Sequence, residues 1–150
     1  MKNDPESTTA EQSARQRRTL KVCEWPEADR IAWEAACKPS QRLKKGGSAS
    51  YLKPRSQEDY ARRYGLFLGF LRIKKMFDRN ATAAAHVTPE NIKLYLDDLA
   101  SRVESGTAWN SISMVRRAAQ FIEPGEDFRW LLEIENDLAG IPRVLVAQKP

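Results

Sequence analysis

The sequence predicts an all-α protein, a compact bundle of four helices preceded by a short helix and a disordered basic N-terminal arm. Three observations carry this. Apolar residues recur at helical spacing in four segments, each bounded by a capping residue, a glycine or a proline. No segment alternates with period two for long enough to form a strand. The positive charge gathers ahead of the periodic segments: residues 21–55 hold eight basic and four acidic side chains, whereas 56–104 hold eight and seven and 105–150 five and six.

Residues 1–22 are polar and aperiodic and read as a disordered tail. A short helix follows at about 26–37, with Pro26 suited to its first position and Ile31, Ala32 and Ala35 as a modest apolar stripe. Lys38–Ser50, rich in Lys, Gly and Ser, reads as a flexible basic linker, so that 23–50 form one unit and 51–140 the helical body.

The first strong helix spans Gln57 to about Phe77, with Ser56 as cap and Asp59 near the positive end of the dipole. Its apolar face is Tyr60, Tyr64, Phe67, Leu68 and Leu71. Gly65 and Gly69 lie one turn apart on the opposite face, beside Arg62 and Arg72, where another backbone, from protein or phosphate, can approach closely. The second helix opens with Thr88-Pro89, a cap followed by proline at N1, and runs to about Val103 on Ile92, Tyr95, Leu96, Leu99 and Val103. The third opens at Thr107 after Gly106 and stops before Pro124-Gly125, with Ala108, Ile112, Val115, Ala119 and Ile122 inward. The fourth, about Asp127–Ala139, is anchored by Phe128, Leu131, Leu132 and Leu138, with Gly140 as C-cap and Pro142 blocking continuation.

Composition limits the chemistry. One histidine, His86, excludes zinc sites built on two or more His, and it reads as a structural or solvated loop residue. Cys23 and Cys37 are too few for a disulfide scaffold and sit at opposite ends of the short helix, about 18 Å apart. There is no Cys-x-x-Cys, no Gly-x-x-x-x-Gly-Lys and no Gly-x-Ser-x-Gly. The longest apolar run, Tyr64–Leu71, is too short for a membrane span, and the first residues lack a signal-peptide core. A reducing cytoplasm is the expected setting, with no metal, cofactor or small-molecule ligand.

The polar faces point toward nucleic acid. At about 100° per residue the third helix sets Asn110, Ser113, Arg117 and Gln120 opposite its apolar stripe, with Trp109 and Arg116 on one flank. Thr hydroxyls and helix N-terminal amides hold phosphates, Asn bonds adenine bidentately, and Arg bonds guanine or phosphate. Lys44, Lys45, Lys53 and Arg55, with Arg42, form a basic approach suited to tracking phosphates. Read as ordinary structure, the same features are a solvated helix face, a half-buried Trp109 and a solvated charge run.

Three features in order resemble the core-binding domain of tyrosine recombinases of the phage-integrase type. They are Ser56 with Tyr60, Tyr64, Phe67 and Phe70; then Val87-Thr88-Pro89-Glu90-Asn91-Ile92 with Tyr95, Leu96 and Leu99; then Thr107 with Ile112, Ser113, Val115 and Arg116. The stretch Glu24-Trp25-Pro26-Glu27-Ala28-Asp29-Arg30 through Gly46-Gly47, with Tyr64-Gly65, is similar to one bacterial subgroup. The resemblance covers roughly residues 24–145. It implies a SAM-like bundle that clamps one side of a recombination half-site, with the first and third strong helices facing the major groove. By position it implies DNA contacts from Thr107, Asn110 and Arg116, with Arg117 adjacent and Arg62 on the first helix. The family often carries Arg or Lys where Asn110 stands, and Glu58 and Asp59 open the first helix where some relatives are basic or neutral. The family's strand-cutting set is a Tyr nucleophile with two Arg, a Lys and His residues, one in His-x-x-Arg, all in a separate domain. Here His86 is followed by Val87-Thr88-Pro89. The implied protein therefore binds double-stranded DNA, beside other recombinase protomers, and is not an enzyme as given. Residues 141–150 resemble the start of an interdomain linker. Two other readings stand beside this one. One is a protein-interaction bundle whose partner-helix groove uses Gly65, Gly69, Trp109 and Phe121. The other is a helical transcription regulator.

Overall fold

A computed structural model describes residues 19–138, and the arm ahead of Thr19 and the expected cap and linker at Gly140, Pro142 and 141–150 lie outside them. Within that span a 3-10 turn, Val22–Glu24, precedes five helices: α1 (Glu27–Cys37), α2 (Pro54–Ile73), α3 (Pro89–Ala100), α4 (Ser105–Ile122) and α5 (Trp130–Leu138). No strand forms among the described residues, and no helix there is long and apolar enough to cross a membrane. The chain is all-α, as its periodicity predicts.

The helix α4 is the axis of the fold, because it packs against each of the other four. Its buried residues include Ala108, Ser111, Ser113, Ala118 and Ala119, small side chains that let neighbours approach on several sides. The helices α2 and α4 run antiparallel: Tyr60 meets Phe121 and Arg117 of α4, while Arg63, further along α2, reaches Ser111 near the start of α4. The predicted faces of α2 and α4 are buried throughout. On α3, Ile92, Tyr95 and Leu99 are buried and Leu96 is half-buried, with Thr88 capping the Asn91 amide at 3.1 Å.

Several boundaries differ from expectation for local reasons. Pro54 occupies the first turn of α2, so the helix starts ahead of Ser56, which lies inside it and caps nothing. It stops at Ile73 rather than Phe77. Lys75 takes a left-handed φ of 61°, its amide bonds Arg72 O, and the Met76 amide bonds Leu71 O at 2.9 Å, a Schellman closure without glycine. The helix α4 begins at Ser105, placing Thr107 inside its first turn, and α5 begins at Trp130, after the buried Phe128. Leu132 on α5 is exposed.

The stripe expected on α1 is displaced. Asp29, Trp33 and Ala36 face inward, at i, i+4 and i+7, and Ile31 and Ala35 face out. Trp33 anchors this face against the rings of Trp25 and Phe121. The segment Lys38–Ser50 is folded onto α1: Ala49 N–H bonds Ala36 O at 2.8 Å, Gly47 N–H bonds Lys38 O at 3.0 Å, and Ala49 has no exposure. Leu20, expected in the tail, is a core residue at 1% exposure.

Leu20 also explains Gly65. Its amide bonds Gly65 O at 3.0 Å, and a Cβ on Gly65 would stand 2.2 Å from Leu20 O. The chain's own N-terminal segment therefore crosses α2 at the glycine, sealed by Trp25, whose indole N–H bonds Leu20 O at 2.9 Å.

A second internal device is polar. Asp29 is fully buried, accepting Tyr64 O–H at 2.7 Å and Ala84 N–H at 3.0 Å. Burial raises its carboxyl above the usual value, opposed by the bonds from Tyr64 and Ala84. His86 is buried nearby and stacked on Phe77 at 5.4 Å, and its Nε2 accepts the Asp78 amide at 2.9 Å. That contact places the proton on Nδ1, which is buried with no partner among the described residues. Burial pushes His86 below its ordinary 6.5.

Two predictions follow from this packing. Alanine is favoured over glycine by about 1 kcal/mol in a helix interior. The collision with Leu20 outweighs that, so Gly65→Ala lowers the unfolding free energy in urea by about 1–3 kcal/mol. A more stable Gly65→Ala chain would contradict the close approach. For His86, the unfolded chain takes up its proton first as pH falls, so the stability it contributes above pH 6.5 is lost as pH drops through its lower folded-state value. Asp29 acts oppositely: its contribution is full below 3.8 and lost as pH rises through its raised value. His86→Gln, which keeps an acceptor for the Asp78 amide, should narrow the stability difference between about pH 7.5 and about pH 5. An unchanged difference would show that His86 does not set it.

Candidate nucleic-acid interface

The antiparallel pair α2 and α4 presents charge at both ends. At one end, α2, the C-terminal half of α3 and the first turns of α4 enclose a groove of about 660 Å3. Among the described residues its cations are Arg62, Arg63, Lys74 and Arg102, and its one acid is Asp98. Thr107 and Ser111 of α4 bring hydroxyl groups to the same groove, over a floor that includes Leu66, Phe70 and Leu99. Asp98 is occupied by Arg102, with N–H···O distances of 3.0 and 2.8 Å, which leaves Arg62, Arg63 and Lys74 as net positive charge.

Each wall has a local cause. Arg63 is steadied by donating to Ser111 Oγ at 3.2 Å, and Lys74 Nζ lies 5.8 Å from the Phe70 ring centre. Arg62 is exposed and has no ion-pair partner among the described residues. Burial pushes the Tyr95 phenol up to about 12, so Tyr95 enters the groove as a neutral hydroxyl. The lining offers cationic and hydroxyl donors to an anion, which suits phosphate oxygens.

The other end holds the loop Lys38–Lys53 and the start of α2. Lys44, Lys45, Lys53 and Arg55 are all exposed. The loop is tied to the C-terminal end of α4 by Ser48 Oγ donating to Phe121 O at 3.1 Å. Contacts from Tyr51 to Phe121, Phe121 to Tyr60, and Tyr60 to Arg117 connect this loop with the exposed side of α4. The helix α2 is about 30 Å long, with Arg62 and Arg63 near its middle, about 11–12 Å along the axis from Arg55, and Lys74 just past its end.

The predicted contact residues divide. Thr107 and Arg117 are exposed and Asn110 is half-buried; Thr107 shares the groove with Arg62, and Arg117 donates to Tyr60 Oη at 3.2 Å. Arg116 does not join them. Its Nε and Nη2 donate to Glu135, which is buried on α5, and the two side chains are 20% and 5% exposed. The sequence places Arg116 on a flank of α4, and α5 covers that flank. Ser113, expected outward, is buried as well.

The partner-helix groove also loses its parts. Gly65 and Gly69 are buried, Gly65 against Leu20, and Phe121 is half-buried among Trp33, Tyr51 and Tyr60. Trp109 alone stays open, at 39% exposure. Sequence reasoning missed Arg63, Lys74, Arg102 and Ser111. Arg63 flanks the apolar face of α2, and only the antiparallel packing of α4 shows that it meets Ser111. Among the described residues no group of three or more His, Cys, Asp or Glu is placed to hold a metal ion.

The fold and groove define an all-helical domain with a cationic, hydroxyl-lined cleft. Comparison of the chain with protein families, with curated proteins and with solved structures gives no match.

The Arg116–Glu135 pair yields a direct test. Arg116→Ala strands a buried carboxylate and should cost about 3 kcal/mol in urea unfolding. Arg116→Met combined with Glu135→Leu should recover most of that loss. An Arg116→Ala chain that is fully stable yet defective only in DNA binding would return Arg116 to the interface.

Proposed function

We propose that this chain binds duplex DNA through the face formed by α2 and α4, as the core-binding domain of a tyrosine recombinase. The observation that carries the reading is the groove in which Arg62 and Arg63 of α2, with Lys74 just past its end, meet Thr107 and Ser111 at the start of α4. These are the two helices that the family resemblance assigns to the major groove. Net charge adds support, at +5 for the chain, as does the cationic loop at the far end of α2. The cations from Lys53 to Lys74 extend along the whole of α2, about 30 Å.

In this reading Arg62, Arg63 and Lys74, with Lys44, Lys45, Lys53 and Arg55, hold phosphates and set register. Asn110 and Arg117, outward on α4, are the candidates for reading bases, and Thr107 supplies a phosphate contact. In the family this reading invokes, strand cutting is the work of a separate catalytic domain, and other protomers bound to the same DNA are the expected protein partners. The setting is the cytoplasm of a bacterium, with the protein encoded by the host or by a phage.

Fluorescence anisotropy with a random duplex of about 30 base pairs, titrated with salt, tests the reading. Binding in the micromolar range that weakens steeply with salt is the expected result. Arg62→Ala and Arg63→Ala should each lower the slope of log K against log salt by about 0.9. Asn110→Ala should leave random-duplex binding unchanged and cost about 1–3 kcal/mol on a cognate site. Absence of binding at low salt would overturn the proposal.

A further inference from the structure

The tip of the loop between α1 and α2 is unusual. Gln41 and Lys44 exchange both backbone hydrogen bonds, at 3.0 and 2.9 Å, which closes a two-residue hairpin with Arg42 and Leu43 at its apex. Leu43 has a φ of 64°, a left-handed conformation that turns normally give to Gly or Asn. Its relative exposure is 101%, so the side chain packs against nothing in the free protein. A strained backbone and an exposed Leu are both unfavourable, and neither contributes to the fold.

The hairpin stands on a fixed root. Gly46 N–H bonds Ser40 Oγ at 3.0 Å, and Gly47 presses so closely on α1 that a Cβ there would lie 2.1 Å from Ala35 O. The Ala49 and Ser48 bonds to α1 and α4 complete the attachment. The apex therefore projects from a defined base.

Its surroundings select the partner. The twenty residues Lys38–Gln57 contain six cations and no acid, and Arg42, Lys44 and Lys45 flank the exposed Leu. An apolar point inside a purely cationic surround fits a polyanion whose apolar interior opens locally. Duplex DNA is such a partner, since aliphatic side chains enter between base pairs while neighbouring cations hold the phosphates.

We infer that Leu43 is a wedge that inserts at a base step and kinks the duplex, with Arg42, Lys44 and Lys45 on the adjoining phosphates. The inference rests on the DNA-binding reading and adds a means of selection by deformability, because pyrimidine–purine steps open most easily.

The test uses the full chain and a random duplex of about 30 base pairs carrying a fluorescence donor and acceptor at its ends, with permanganate reactivity reporting unstacked thymines. The wild-type chain should shorten the end-to-end distance and expose thymines at saturation. Leu43→Gly should bind within about threefold of wild type, keep the salt slope, and lose both signals. Because glycine relaxes the positive φ, this variant should melt at the same temperature or higher. Arg42→Ala with Lys44→Ala should weaken binding and lower the salt slope by about two while the saturated complex still bends. A bound duplex that stays straight, or one bent equally by Leu43→Gly, would overturn the wedge and leave the DNA reading standing. No DNA binding at all would overturn both. Leu43-dependent binding to phosphatidylserine vesicles without duplex bending would overturn the wedge in favour of lipid insertion.

Discussion

A buried carboxylate sets the frame of this protein. Asp29 has no exposure, and its two oxygens receive the Tyr64 hydroxyl and the Ala84 amide, which joins α1, α2 and the approach to α3 at one point. Leaving any of these groups unpaired in the interior costs more than the bond contributes, so α1 has one favoured register on α2. Ala84 holds a left-handed φ of 58°, a strained state tolerated because it aims the amide at the carboxylate. Around this point Trp25 packs edge-on to Tyr64 at 5.1 Å and bonds Leu20, which closes the N-terminal segment over Gly65. Once α1 is fixed, so is the root of the loop that follows, since Gly47 and Ala49 rest on its last turn.

The apolar stripes of α2, α3 and α4 were legible because each helix turns its large apolar side chains to the core at a spacing near 3.6 residues, which the sequence reports directly, whereas the small residues buried beyond the stripe, such as Gly65 and Ser113, carry no such signal. Their inward residues, from Tyr60 to Ile122, follow the sequence pattern. On α1 the pattern misled. Its inward face combines a charged residue with a Trp, and a hydrophobic count prefers Ile31, which is half-exposed at 52%. Only the Tyr64 hydroxyl and the Ala84 amide, thirty-five and fifty-five positions away, make Asp29 an interior residue. Similarly, Lys75 closes α2 in a conformation that composition assigns to glycine, so the sequence offered no stop signal at Ile73.

The candidate site shows the same division. Helical periodicity gives the angle of each polar residue on α4, and Thr107, Asn110 and Arg117 fall outside the apolar stripe as that angle requires. It does not show which part of the remaining arc a neighbour covers. The helix α5 covers the part that carries Arg116 and supplies Glu135 to meet it, whereas the adjacent Arg117 stays exposed. The two arginines have the same chemistry and differ in fate by one step around the helix. The groove residues Arg63 and Ser111 belong to different helices forty-eight positions apart, so no local pattern could join them.

Charge is distributed with a consistent logic across these elements. Four ion pairs among the described residues tie Arg30 to Glu34, Arg102 to Asp98, Arg116 to Glu135 and Arg129 to Asp127. Three of them are at least partly exposed and add little stability, since a surface pair contributes at most about 1 kcal/mol. Their larger effect is to neutralise arginines away from α2. None draws on Arg55, Arg62 or Arg63, or on the lysines of the preceding loop. The modest net charge of the chain is therefore concentrated along α2 and its approach rather than spread over the surface. Glu58 and Asp59 interrupt that stripe near its start, which separates the loop cations from the groove cations. An anionic partner long enough to reach both cationic regions gains from each, while a small anion can use only one. That difference favours an extended polyanion over a compact ligand as the occupant of this face.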